Sequence, residues 1–154
     1  MKLRRRTFLA AAGCLAGGIG LSTMAGRAHA TPAELSVALK KVTGGATLRP
    51  GRVTLEIPPL VENGNSVPLS VVVESPMTTV NHVRAIHVFA EKNPLPNVIS
   101  IYLGPRSGRA RIATRVRLAD TQKVLAVAEM SDGSFWSDSR DVTVTLAACT
   151  EAVI

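Results

Sequence analysis

The chain has 154 residues, of which 19% are charged and 3% aromatic, with 18 basic against 11 acidic residues. That length holds one domain and a targeting segment. Five of the basic residues (Lys2, Arg4, Arg5, Arg6 and Arg27) lie in the first thirty positions, so the rest of the chain has 13 basic and 11 acidic residues, a net of +2. The high overall charge is therefore no ground for reading a nucleic-acid-binding protein.

Residues 1–30 divide into three zones. A basic start is followed by an uncharged run from Leu9 to Leu21 and by the small-x-small sequence Ala28-His29-Ala30. This is the pattern of a cleavable secretory signal. Arg5-Arg6-Thr7-Phe8-Leu9 reads as its twin-arginine form, the alternative being an ordinary signal whose basic end holds adjacent arginines. Ala11-Ala12-Gly13-Cys14 resembles a lipoprotein box but lacks the large aliphatic first residue. The apolar run is too short to span a bilayer, so no stable membrane insertion is expected.

From Thr31 to Val42 the sequence predicts a short helix, with Pro32 near its start and Gly44-Gly45 after it. Beyond it the apolar period changes to two. Strands are expected over 52–57, 67–74, 83–90, 98–103, 110–118, 123–130 and 141–147, separated by Pro58-Pro59, Asn63-Gly64-Asn65, Asn93-Pro94, Gly104-Pro105 and Asp132-Gly133-Ser134. About seven short strands with such punctuation predict an all-β, immunoglobulin-like β-sandwich. Over 110–118 the alternation places Ile112, Thr114, Val116 and Leu118 inward, and Arg111, Ala113, Arg115 and Arg117 outward. With Arg106 and Arg109 these arginines form either a solvated strand face or a docking face for an acidic partner. The expected organisation is a signal (1–30), a sandwich (31–147) and an arm (148–154).

Residues that could carry chemistry are few. No Cys-x-x-Cys, His-Glu-x-x-His or Gly-rich phosphate loop occurs. His82 is expected in a turn and His87 in the core or on a sheet face. A zinc site from His82, His87 and Cys149 has poor spacing, and a Cys-His nucleophile pair lacks an orienting third group. No metal or other cofactor is expected. Loss of residues 1–30 removes Cys14 and leaves Cys149 alone, so no internal disulfide can form. A leftover cysteine in an exported chain is either a reactive thiol or a buried small hydrophobe. Position favours the first: Cys149 follows the last strand, where it falls on the Thr143/Thr145 face or on a free tail.

The segments 59–69, Ser75-Pro76-Met77-Thr78, 90–96, 113–122 and 126–135, in that order, resemble the SoxY family, the sulfur-substrate carriers of the Sox thiosulfate-oxidation system. The resemblance implies a periplasmic carrier, not an enzyme, bound to a small β-protein, SoxZ. It implies that Cys149 holds sulfur intermediates covalently on a C-terminal arm that visits other Sox enzymes in turn. With a net charge of only +2 beyond residue 30, no nucleic-acid partner is expected. The family's arm reads Gly-Gly-Cys-Gly-Gly, whereas this chain has Ala147-Ala148-Cys149-Thr150-Glu151. A SoxY-like interaction module that has lost sulfur carriage is the alternative reading. The export reading has a direct test. Replacing Arg5 and Arg6 by lysine should leave the precursor in the cytoplasm by cell fractionation, and undiminished export would count against a twin-arginine signal.

Overall fold

The computed structural model describes residues 32–146. The expected signal and the expected arm with Cys149 lie outside the described residues. Helix α1 spans Pro32–Thr43. Nine strands follow among the described residues: β1 (Leu48–Pro50), β2 (Val53–Glu56), β3 (Leu60–Asn63), β4 (Val67–Val73), β5 (Val83–Ala90), β6 (Asn97–Tyr102), β7 (Arg111–Val116), β8 (Gln122–Met130) and β9 (Phe135–Leu146). The large sheet has the order β1-β9-β8-β5-β6, with β3 pairing the end of β9, and the small sheet has the order β2-β4-β7.

The immunoglobulin-like sandwich read from the sequence is present, with three additions. The short strands β1 and β3 are not expected from the sequence, and β9 starts six residues before the predicted strand. Each depends on long-range pairing. Strand β9 pairs along β8 on one side; on the other, β1 pairs its first residues and β3 its last, both in parallel. A three- or four-residue strand has too little alternation to stand out in sequence.

Why the core forms is plain from the pattern. Val53 and Leu55 of β2, Val67, Leu69, Val71 and Val73 of β4, and Ile112 and Val116 of β7 turn inward. They meet Ile86, Val88, Val124, Ala126, Ala128, Val142 and Val144 of the large sheet in one aliphatic cluster. Strand β5 alternates only loosely in sequence because the large sheet is covered on both faces, and a strand buried on both faces has no polar side to display. The second cover is α1. Leu35, Ala38, Leu39 and Val42 form its i, i+3, i+4, i+7 stripe and pack on Phe89, Val127 and Phe135. Glu34 in its first turn and Lys40 and Lys41 in its last suit the helix dipole. Gly44 ends it at φ +62°, and its N–H donates to the Lys40 carbonyl at 2.8 Å. One polar tie crosses the sandwich, the Leu55 N–H donating to Asp138 Oδ2 at 2.9 Å.

Two expected inward residues face solvent instead: Thr114 is exposed, and Leu146 is 57% exposed. Leu146 is the last residue of β9. Thr114 borders a surface depression together with Ile57, Leu69 and Arg140.

One end of the sandwich gathers the end of β9, the 64–66 turn, the 91–96 loop and the 117–121 connection. A buried polar knot holds these together. Asn93 Nδ2 donates to the Arg117 carbonyl at 2.8 Å, and Asn93 Oδ1 accepts from Ala119 N–H at 2.9 Å and from Gln122 Nε2 at 3.0 Å. Gln122 Oε1 in turn accepts from Lys92 N–H at 2.8 Å. Both side chains are buried, so a lost partner leaves polar groups stranded without water. Asn93→Ala is therefore expected to lower unfolding free energy by about 1–3 kcal/mol in urea titration, at an unchanged m-value.

Candidate functional site

The last strand sets the place from which the arm departs. Val142 and Val144 are buried and Thr143 and Thr145 exposed, so the alternation holds up to its final residues. Pairing with β3 secures those residues, with Leu60 opposite Thr143, Val61 opposite Val144 and Asn63 opposite Leu146. Thr145 Oγ1 donates to the Glu62 carbonyl at 3.0 Å, and Gly64 N–H donates to the Leu146 carbonyl at 2.8 Å. The Gly64 carbonyl then accepts Leu118 N–H at 2.8 Å, which links the arm's root to the Asn93 knot. In the 64–66 turn, Asn63 Oδ1 accepts Asn65 N–H at 2.9 Å, an Asx turn that shapes the loop beside the root. Cys149 is three residues past Leu146 in sequence, at most about 10 Å of extended chain.

The histidines do not share a site. His82 precedes β5, its Nδ1 3.1 Å from the Thr78 carbonyl and its N–H on Ser131 Oγ, as expected of a turn residue. His87 lies in the sheet face covered by α1. It is 3% exposed, with Nδ1 2.8 Å from Ser100 Oγ and Nε2 buried without a partner among the described residues. Tyr102 stands edge-on to its ring at 6.1 Å. Beside it lies a cavity of about 480 Å³ bordered by Lys41, Val42, Ser100, Tyr102 and Glu129. Among the described residues no three histidine, cysteine, aspartate or glutamate side chains converge as metal ligands would. Cys149, the third member of the weighed zinc set, lies outside the described residues.

The five arginines Arg106, Arg109, Arg111, Arg115 and Arg117 are all exposed. They split by location. Arg115 Nη1 donates to the Ser66 carbonyl at 3.2 Å and to Ser66 Oγ at 3.3 Å, which ties it to the arm's end of the molecule. Arg115 and Arg117 also border a groove between the open edges of β6 and β7. A second arginine cluster escapes the sequence reading: Arg49 and Arg52 stack on Trp136, their guanidinium carbons 5.9 and 4.9 Å from the ring centroid. Nothing in the local pattern announces it, because β1 pairs with a strand far away in sequence.

Architecture and arm root together define a small immunoglobulin-like β-sandwich with one end built around the exit of its last strand. The family model described as "Sulfur oxidation protein SoxY" matches residues 39–149, and the chain belongs to the SoxY family. Among solved structures it is similar to the sulfur carrier protein SoxY from Chlorobium limicola f thiosulfatophilum, at 25% identity and a TM-score of 0.62, covering 74% of this chain and 98% of that one. It is similar in fold to a superoxide reductase (neelaredoxin) from Ignicoccus hospitalis, at 14% identity and a TM-score of 0.55, covering 68% of this chain and 86% of that one. A putative superoxide reductase from Thermotoga maritima shares the fold at 23% identity and a TM-score of 0.52, covering 64% and 87%. No curated protein matches it by sequence.

Burial holds the His87 imidazole below its ordinary value of 6.5, against an opposing pull from the Glu129 carboxylate. Lys41 of α1 and Tyr102 of β6 are the other ionisable groups bordering it. A histidine depressed in the folded state is protonated more readily when unfolded. Its contribution is thus fully present well above pH 6.5 and is lost as pH falls below that unfolded value toward the folded one. Melting temperature should drop between pH 7.5 and 5.5, and His87→Phe should flatten that part of the curve. An equal slope in the variant would assign the acid sensitivity elsewhere.

Proposed function

We propose that the protein is a periplasmic carrier of thiosulfate and sulfur oxidation, holding its intermediates covalently on Cys149 in complex with a SoxZ-like β-protein. The observation that carries this reading is family membership over a segment that ends at residue 149, alongside likeness to a protein described as a sulfur carrier. Two features support it. Once residues 1–30 are removed, Cys149 is the only thiol, so no internal disulfide competes for it. The strand leading to it is fastened by β3 through Leu146, which gives the arm a fixed origin.

The chemistry is that of a nucleophilic thiolate. In the loading step the Cys149 thiolate sulfur and the outer sulfur of thiosulfate form an S–S bond, and two electrons leave to the acceptor of a coupling enzyme. In the next, water attacks the terminal sulfonate sulfur. The S–SO₃ bond breaks, sulfate and two protons leave, and a persulfide anion stays on Cys149. Other enzymes take the remaining sulfane sulfur. Tethering keeps each intermediate at high effective concentration near the enzymes that visit it. The chain supplies the thiol and its position, and the enzymes supply the catalysis.

The second reading, an interaction module without cargo, is favoured by one feature. Alanines stand where the family's arm has glycines, and Glu151 puts a negative charge near the thiol, which opposes thiolate formation. Intact-mass measurement after turnover with thiosulfate and the coupling enzymes separates the two. The carrier reading expects sulfur adducts on the wild type and none on Cys149→Ser, with melting temperature and partner binding unchanged in that variant. An unmodified wild-type thiol under turnover would leave the interaction module as the better account.

A further inference from the structure

The groove between β6 and β7 is the open side of the sandwich, where each sheet presents an edge strand. Its volume is about 420 Å³. Half-buried Val98 and Ile99 and the 77% exposed Leu95 give it an apolar floor and lip, and Arg115 and Arg117 give it a basic wall. No acidic side chain borders it among the described residues. Arg117 has no ion-pair partner among the described residues. Asp120, three positions after Arg117 in sequence, pairs with Lys92 at 3.4 Å.

The sequence that follows Leu146 complements this groove. Glu151 is its one acid, and Ala152-Val153-Ile154 is apolar. The distances agree. The groove lies at the same end of the sandwich as the exit of β9, because β6 begins where β9 ends. From β9 across β8 and β5 to β6 is three strand spacings, roughly 14 Å. Residues 150–154 are four to eight positions beyond Leu146, an extended reach of about 13–28 Å. The span from root to groove falls within that range, so the segment reaches without unpairing β9.

We propose that residues 150–154 dock in this groove of their own molecule, with Glu151 on Arg115 and Arg117 and with Val153 and Ile154 against Leu95, Val98 and Ile99. Docking draws Cys149 across the end of the sandwich. It also offsets the Glu151 charge with two guanidinium groups, which removes the chief electrostatic opposition to a Cys149 thiolate. The contact is a matter of shape and charge and holds whether or not the thiol carries sulfur.

The test is ¹⁵N relaxation and methyl NOE measurement on the full chain carrying Cys14→Ser and Cys149→Ser, which also prevents disulfide-linked dimers. The expected result is order parameters for residues 151–154 near the rigid-backbone value of about 0.85, with NOEs from Val153 and Ile154 to Val98 and Ile99. Arg115→Gln with Arg117→Gln should lower those order parameters below about 0.6. Both arginines are exposed, so the sandwich amide shifts should report an intact fold. A wild-type tail below about 0.6 overturns the proposal. So does order that survives the double arginine variant, or NOEs found only between separately labelled copies. Because the measurement uses a chain without Cys149, its failure is distinct from any failure of sulfur carriage.

Discussion

The end of the sandwich depends on two buried amides. Asn93 spans the loop after β5 and the connection into β8, and Gln122 closes the same knot on the Lys92 amide. Three backbone groups and one side-chain amide are satisfied there by groups that cannot reach solvent. Leu118 anchors the 117–121 connection in the aliphatic core, and the knot ties the 91–96 loop to it. The Gly64 bridge joins Leu118 to Leu146, at the exit of β9. The fixed exit of β9 thus rests on buried hydrogen bonds set beside the apolar contacts of Leu118.

Most of the sandwich is legible because an aliphatic core leaves a clear period. Strand β4 shows its burial directly in the sequence, β7 does so at Ile112 and Val116 but not at Thr114, and the exposed arginines of β7 fall where the alternation puts them. Strand β5 lies where it is expected despite its weak alternation, yet the reason for that weakness, a helix covering its second face, is not local information. The same holds for β1 and β3, which exist only because β9 is long enough to pair with both. The candidate site is legible in a different way. Asn63, Asn93 and Gln122 carry no pattern of their own, but they sit in the segments most like the SoxY family, and these segments meet at one end of the fold. Cys149 lies outside the described residues, which stop three short of it.

The helix-covered face and the open face of the molecule make opposite demands. Under α1 the large sheet buries His87 with one ring nitrogen unpartnered among the described residues, which costs stability that the surrounding apolar contacts offset. The small sheet has no such cover among the described residues. Its outer face carries Thr54, Glu56, Arg111 and Arg115, and its edge strand β7 is lined with charge. Inward packing gives stability on one side, and on the other a charged edge resists strand addition by stray chains. A specific partner must then match that charge, which narrows what can bind there.

The arm's composition follows the same logic. Glycine in an arm maximises the conformations lost on docking, and alanine lowers that loss by about 0.4–1 kcal/mol per position. An Ala-Ala-Cys-Thr-Glu arm therefore gives up less entropy when it settles against the sandwich than a Gly-Gly-Cys-Gly-Gly arm does, and it sweeps less space when released. If residues 150–154 dock as proposed, the balance between docked and released states shifts toward the docked one by the sum of such terms plus the proposed Glu151 contacts. An enzyme that must capture this thiol competes against that sum. Under that proposal its binding energy for the arm has to exceed what the groove between β6 and β7 offers, so selectivity among partners would be set partly by this chain's own surface.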